Sequence, residues 1–130
     1  MILLDTHIWL RWLLPSQPLP ENLARQIEQT ETVMISAISC WEVVMLEKKQ
    51  RIQLPISVEQ WLQEATIGSE VDVLPITCDI SRLAGTLPEY HKDPADRIII
   101  ATALYHSLKL MSLDSLFSDY QELAGQLVMK

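Results

Sequence analysis

The chain has 130 residues, of which 48% are hydrophobic and 21% charged, a composition typical of one globular domain with its own core. Seventeen acidic residues against ten basic ones give a net charge of −7, which argues against a nucleic-acid binder held by a basic surface. The same charge does not exclude a nuclease whose positive charge comes from bound metal.

The start of the chain and its cysteines indicate where the protein works. No apolar run approaches the roughly 20 residues that a bilayer-spanning helix needs, and an acid at position 5 argues against a signal peptide. Cys40 and Cys78 both lie in apolar segments, which favours free, buried thiols over a disulfide. We therefore expect a cytoplasmic protein with no membrane partner.

The first elements of the chain are a short strand and an apolar helix. Residues 2–5 are predicted to form a buried strand that ends in Asp5, and residues 8–14 a helix that stops at Pro15. This helix is apolar nearly all round, which is more than one core-facing stripe requires. We expect it to provide an additional interface, with a second copy or with a partner protein.

A second carboxylate stands on the helix that Ser36 is predicted to cap. Ile38, Trp41 and Met45 form one apolar stripe on this helix, and Glu42 lies on the same side. The remaining elements are predicted as helices at 21–29, 57–67 and 79–87, the last capped by Asp79, strands at 32–35, 71–74 and 110–113, a helical turn at 115–120 and an edge strand at 127–129.

The segment from Asp93 to about Ser107 is predicted to be a helix with an acid on its apolar face. Asp93 can cap it, and Pro94 suits the first helical position. Asp96 shares a face with the residues three, four and seven positions later, namely Ile99, Ile100 and Ala103. A carboxylate in that position needs a partner, because burying a lone charge is costly.

Alternating strands and helices predict an α/β fold in which a parallel sheet of four to five strands is flanked by helices on both faces, as one domain over residues 1–130. Such sheets carry their sites beyond the carboxyl ends of the strands. The acids expected to meet at that edge are Asp5, Glu42, Asp96 and Asp114.

A group of four carboxylates cannot stay ionised unaided, since two of them about 4 Å apart repel by about 4 kcal/mol at an effective dielectric near 20. Either some hold protons or a cation lies among them. Oxygen ligands favour Mg²⁺ or Mn²⁺ over zinc, and such metals activate water for phosphodiester hydrolysis. Thr6 and Ser112 stand beside the acids and are candidates to orient a ligand or a water.

Other polar residues near these acids have simpler explanations. We expect Asp93 to act as a helix cap, Arg97 to pair with a surface acid, and His7 and His91 to be structural. Three basic residues either hold RNA phosphate or form a solvated helix end, namely Lys48, Lys49 and Arg51.

Several segments stand together in one order between residue 4 and about residue 120. They are Leu-Asp-Thr-His at 4–7 with Trp12-Leu13, Ser-Ala-Ile-Ser-Cys-Trp-Glu-Val at 36–43, Leu87-Pro88 with His91, Asp-Pro-Ala-Asp-Arg-Ile-Ile-Ile-Ala-Thr-Ala at 93–103, and Leu113-Asp114 with Phe117 and Tyr120. In these segments the sequence resembles the PIN domain, and within it the VapC-type toxins of bacterial toxin–antitoxin pairs.

The resemblance implies a Mg²⁺- or Mn²⁺-dependent endoribonuclease, usually a homodimer, that is neutralised by a cognate antitoxin protein. It also implies that four residues are the acidic metal-binding positions, namely Asp5, Glu42, Asp96 and Asp114. Relatives often carry Gly-Lys after the helix of Glu42, where this chain has Lys-Lys-Gln-Arg-Ile at 48–52. The RNA preference is therefore not carried over.

Two other functions compete with the ribonuclease as explanations of these residues. An aspartyl-phosphate phosphatase needs a second Asp two residues after Asp5, where this chain has His7. A catalytically silent PIN-like binding module would act through its apolar first helix. The presence of all four acids disfavours that second alternative.

Overall fold

The structure, a computed structural model, describes residues 1–129. Five parallel strands form one sheet in the order β3-β2-β1-β4-β5. The strands are β1 at Ile2–Leu4, β2 at Val33–Ser36, β3 at Val71–Leu74, β4 at Lys109–Met111 and β5 at Leu127–Val128. The predicted α/β fold with a parallel sheet is confirmed, and the last strand is an edge strand as expected.

Six helices join the strands. They are α1 at Thr6–Leu13, α2 at Glu21–Glu28, α3 at Ala37–Lys48, α4 at Val58–Ala65, α5 at Cys78–Thr86 and α6 at Pro94–Tyr105. Ser36, Ser57 and Asp93 cap α3, α4 and α6 through their side chains, as predicted. The predicted cap at Asp79 is wrong, because Thr77 accepts the amide of Ile80 and α5 begins one residue earlier.

The two faces of the sheet carry two separate cores, because successive strand residues point to opposite sides. Ile2 and Leu4 of β1 pack into a core that α1, α2 and α4 cover, whereas Leu3 packs into a core under α5 and α6. Helices therefore cover both faces of the sheet, as predicted.

The packing of α1 accounts for much of its apolar breadth. Trp9 is fully buried, its ring lies 5.1 Å from that of Trp61, and its indole N–H donates to the carbonyl of Ala65 at 3.0 Å. Trp12 and Leu13 are half-buried and line a shallow cleft of about 310 Å³ beside α2. Trp9, the most buried tryptophan of α1, therefore belongs to the core and is not part of the additional interface that was predicted for this helix.

The apolar stripe predicted on α3 differs from the buried one. Ser39 and Val43 are fully buried, whereas Trp41 is 56% exposed and Val44 is also exposed. Ile38 packs against the other core. Because α3 is apolar on several sides, the stripe of Ile38, Trp41 and Met45 is not the face that turns inward.

The two cysteines are unpaired in the part of the chain that the structure describes. Cys40 is half-buried, but Cys78 opens α5 and is exposed, so the expectation of two buried thiols holds only in part. Across residues 1–129, no helix combines the length and the apolar character that crossing a membrane requires.

Candidate metal centre

Asp5 lies at the middle of the carboxyl edge of the sheet, directly after the central strand β1. It is 4% exposed and caps α1, because its Oδ1 accepts the amide of Ile8 at 2.8 Å. Burial raises the pKa of Asp5, and hydrogen bonds from Ser112 and Ile8 oppose that rise. Asp5 is therefore a carboxylate held in a fixed orientation within a poorly solvated environment.

Glu42 reaches the same edge from the second turn of α3. Thr6 donates a hydrogen bond to its Oε1, and the hydroxyls of Thr6 and Ser39 lie 2.8 Å apart. Since Thr6 has a single hydroxyl proton, Ser39 must donate to Thr6. Burial raises the pKa of Glu42, and the Thr6 hydrogen bond counters the shift.

Asp96 lies in the first turn of α6, where it faces other acids of the site. Burial, followed by the charge of Asp93, raises the pKa of Asp96 to about 7, and Glu42 and Asp5 add to that rise. Ligand atoms of Glu42, Asp93 and Asp96 lie within 4.8 Å of one another. Asp93 caps α6 through Ala95, as predicted, and also adds a carboxylate that the sequence analysis had not placed in the site.

A second group of ligand atoms includes a histidine. Nε2 of His91 lies 2.9 Å from Oδ2 of Asp96 and 2.9 Å from Oδ2 of Asp114. Oδ1 of Asp114 accepts the amide of Leu116, so Asp114 also caps the turn that follows it. The expectation that His91 is structural is therefore incomplete, and its place two residues before Asp93 is a sequence signal that it joins the acids.

Among residues 1–129 no acid pairs with Arg97, so the prediction that it pairs with a surface acid is wrong for the described part of the chain. Its guanidinium donates to the carbonyls of Ala84 at 2.7 Å, Leu87 at 2.9 Å and Pro88 at 3.1 Å. The end of α5 leaves carbonyl groups without helical partners, and Arg97 satisfies them. This attachment fixes the loop that leads to His91.

The basic residues of the α3 end lie beside a surface groove. Lys48 and Arg51 line a cleft of about 850 Å³, and Ile52 is shared with a smaller cleft that includes His7. His7 is exposed, and its charge lowers the pKa values of both Asp5 and Glu42. The larger cleft is thus separate from the acid cluster, and the smaller one, which shares Ile52 with it, includes His7 two residues after Asp5.

The donor set fits a hard divalent cation. The ligand atoms that lie together are carboxylate oxygens with one imidazole nitrogen, and Mg²⁺ and Mn²⁺ favour such oxygen-rich sets. Asp96 belongs to both three-residue groups, whereas Asp5 belongs to neither and acts on Glu42 and Asp96 through its charge. A cation among these groups would relieve the repulsion that raises their pKa values.

Comparison with known proteins identifies the family. The PIN domain family matches residues 2–123. Ribonuclease VapC22 of Mycobacterium tuberculosis is 36% identical over 114 residues, which are 87% of this chain and 86% of that protein. The chain therefore belongs to the PIN-domain family, in its VapC-type branch.

Solved structures agree with this assignment. A toxin–antitoxin complex from Klebsiella pneumoniae contains a chain that superposes with a TM-score of 0.65 at 27% identity, over 99% of this chain and 97% of that one. The VapBC2 complex from Rickettsia felis, bound to a DNA fragment from its promoter, gives a TM-score of 0.64 at 16% identity, over 100% and 98% of the two chains. At that identity the second match supports the fold alone.

Proposed function

We propose that the chain, over residues 1–130, is a metal-dependent endoribonuclease that acts as the toxin of a toxin–antitoxin pair. The observation that carries the proposal is the carboxylate of Asp96, which joins two groups of ligand atoms at the carboxyl edge of the sheet. The relative at 36% identity is named a ribonuclease, and the solved neighbour at 27% identity comes from a toxin–antitoxin complex.

The residues that we assign to the metal are Asp5, Glu42, Asp96 and Asp114. A bound Mg²⁺ or Mn²⁺ would supply the positive charge that activates water and stabilises the scissile phosphate. The protein itself fixes the orientation of these carboxylates before the metal binds. Thr6 orients Glu42, Ser112 orients Asp5, and burial limits how much water competes for their oxygens.

RNA has to approach an acidic protein through a local basic surface. The groove lined by Lys48 and Arg51 offers one, and it shares Ile52 with the smaller cleft that His7 lines. We assign this groove to the RNA strand next to the scissile phosphate. Replacing both Lys48 and Arg51 with Gln should weaken RNA binding and reduce its salt dependence, without changing metal affinity.

A homodimer is the expected assembly. Trp41 and Val44 expose large apolar surfaces on α3, next to the acid Glu42 in sequence. Association of two copies through this face of α3 would remove that surface from water. A cognate antitoxin is the second expected partner, and the Klebsiella pneumoniae neighbour, itself from such a complex, supports it.

The deciding experiment compares Asp96→Asn with Asp79→Asn. Asp79 also lies in the first turn of its helix, but it bonds to Tyr105 at the far end of α6. Wild type and Asp79→Asn should bind Mn²⁺ by calorimetry and arrest growth when expressed, whereas Asp96→Asn should do neither. Growth arrest by Asp96→Asn would refute the nuclease, and Mn²⁺ binding without RNA cleavage would favour the silent binding module.

A further inference from the structure

We propose that His91 is a positioning residue of the metal centre, whose Nε2–H donates to Asp114 and lies against Asp96, and which thereby holds both carboxylates in the orientation that binds the cation. This inference rests on the proposed function, because it concerns the same site. His91 is then a hydrogen-bond donor to a residue that binds the metal, and it does not bind the metal itself.

The hydrogen bonds of the ring assign its proton. The amide of Asp93 faces Nδ1 of His91 at 3.4 Å, so Nδ1 is an acceptor and the proton lies on Nε2. Nε2 then donates to Oδ2 of Asp114 at 2.9 Å, and Oδ2 of Asp96 lies at the same distance from Nε2 without hydrogen-bond geometry. With its lone pair occupied by that proton, Nε2 is not available to a metal.

The carboxylate of Asp96 keeps an oxygen for the cation. Its Oδ2 faces His91, and among residues 1–129 no donor is hydrogen-bonded to its Oδ1. Asp114 is engaged at both oxygens, by His91 and by the amide of Leu116. The ring therefore lies against one oxygen of Asp96 while the other stays open, and its N–H binds Asp114.

The ring is fixed independently of the acids. The backbone amide of His91 donates to the hydroxyl of buried Tyr120 at 3.0 Å, and the ring meets that of buried Phe117 edge-on at 5.8 Å. Arg97 holds the carbonyls of Leu87 and Pro88 in the same loop. The side chain of His91 is 11% exposed. A donor so rigidly placed can define where two acids sit before any cation arrives.

The imidazole also counters the repulsion between the two carboxylates. Oδ2 of Asp114 accepts its N–H, and Oδ2 of Asp96 lies 2.9 Å from the same nitrogen, so both carboxylates are held within reach of one another. Without that N–H, like charges would drive the groups apart and the ligand geometry would loosen. Partners that orient metal ligands in this way typically account for 10–100-fold in metal affinity.

The test uses two amide substitutions of different reach. The amide nitrogen of Gln lies about where Nε2 of His lies, whereas that of Asn reaches only to the position of Nδ1. We expect His91→Asn to weaken Mn²⁺ binding in calorimetry about 10–100-fold, as for other orienting partners, and His91→Gln to retain most of the affinity. His106→Asn, at the exposed C-cap of α6, is the matched control and should bind as wild type does.

The melting temperature of the metal-free variants separates positioning from a general loss of structure. Equal melting temperatures with unequal Mn²⁺ affinities support positioning. Pulsed electron paramagnetic resonance of Mn²⁺ bound to ¹⁴N-containing wild type should show no histidine nitrogen coupling. A coupling that His91→Gln abolishes would make His91 a ligand and overturn the proposal.

Two further results would also overturn it. Equal Mn²⁺ affinity in wild type, His91→Gln and His91→Asn would show that the Nε2–H donor is irrelevant. Equal losses of Mn²⁺ affinity in both variants would show that a donor at the position of Nε2 does not preserve binding. In all these cases wild type still binds Mn²⁺, so the proposed function survives. An absence of Mn²⁺ binding in wild type would refute both together.

Discussion

Thr6 donates a hydrogen bond to Oε1 of Glu42, which lies 36 residues further along the chain, and so links the first turn of α1 to the second turn of α3. Ser39 donates to Thr6 in turn, and both hydroxyls are buried. The orientation of a proposed metal ligand thus depends on a chain of two neutral hydroxyls. A charged partner would have added a permanent counter-charge, whereas hydroxyls leave the carboxylate free to bind a cation.

Thr6→Val tests this link because valine has nearly the same shape and no hydroxyl. The buried Ser39 hydroxyl would lose its acceptor, so the free energy of unfolding should fall by about 1–3 kcal/mol. Mn²⁺ affinity should fall about 10-fold, because Glu42 loses its orienting bond. Urea unfolding and calorimetry measure the two effects. Thr6→Ser keeps the hydroxyl and is the control, and a loss of Mn²⁺ affinity in that variant as large as in Thr6→Val would contradict the interpretation.

The stability of the metal-free protein should depend on pH in a direction set by Asp96. The folded state raises the pKa of this acid from 3.8 to about 7, so the folded protein binds the proton more tightly than the unfolded chain does. Stability is therefore highest below pH 4 for this group and declines as pH rises toward 7, by roughly 2–4 kcal/mol in total. Denaturant titrations in chelator between pH 4 and pH 8 measure the decline, and saturating Mn²⁺ should reverse it. A metal-free stability that rises steadily over this range would show that the acid is not buried as described.

Asp96→Asn should raise the melting temperature of the metal-free protein at pH 8, because it removes one of several crowded negative charges. Asp93, Glu42 and Asp5 all act to raise the pKa of Asp96, so each is relieved when that charge is removed. Asp79→Asn removes the same charge from an exposed site and should leave the melting temperature nearly unchanged. Thermal unfolding in chelator distinguishes the two variants, and a clear destabilisation by Asp96→Asn would contradict the clustering.

Most of the fold and the meeting of the acids were predictable from the sequence, because both follow from topology. Parallel strands end at one edge, so Asp5 after β1 and Asp114 after β4 had to lie near each other once the strands were recognised. The carboxylate of Asp96 on an otherwise apolar helix face conflicts with the local pattern, and such conflicts are expected at functional sites.

The parts that were missed depend on tertiary contacts without a periodic signal. The loop that carries His91 has no hydrophobic repeat, and its course is set by Arg97 on one side and Tyr120 on the other. The exposure of Trp41 was not predictable because α3 is apolar on several sides, so that its spacing is compatible with more than one inward face. Neither outcome follows from residues that are close in sequence.

Trp41→Glu should convert a homodimer into a monomer, because it places a charge on the most exposed large side chain of α3. Trp41 lies outside both cores, so the free energy of unfolding of the monomer should change by less than about 0.5 kcal/mol. Analytical ultracentrifugation measures the assembly, and Ile67→Glu, also at an exposed apolar residue, is the control. Wild type that sediments as a monomer would refute this dimer outright.

Arg97→Met should loosen the loop before α6 while leaving the sheet intact. Methionine keeps much of the apolar stem but cannot donate to the carbonyls of Leu87 and Pro88, which then need water. We expect the amide of His91 to exchange faster with solvent, and Mn²⁺ affinity to fall, since Nε2 of His91 is then less well placed against Asp114 and Asp96. Arg82→Met, on the exposed face of α5, should change neither. Faster exchange at His91 with unchanged Mn²⁺ affinity would show that the loop can move without disturbing the acids, and that the site depends on α6 alone for the placement of Asp96.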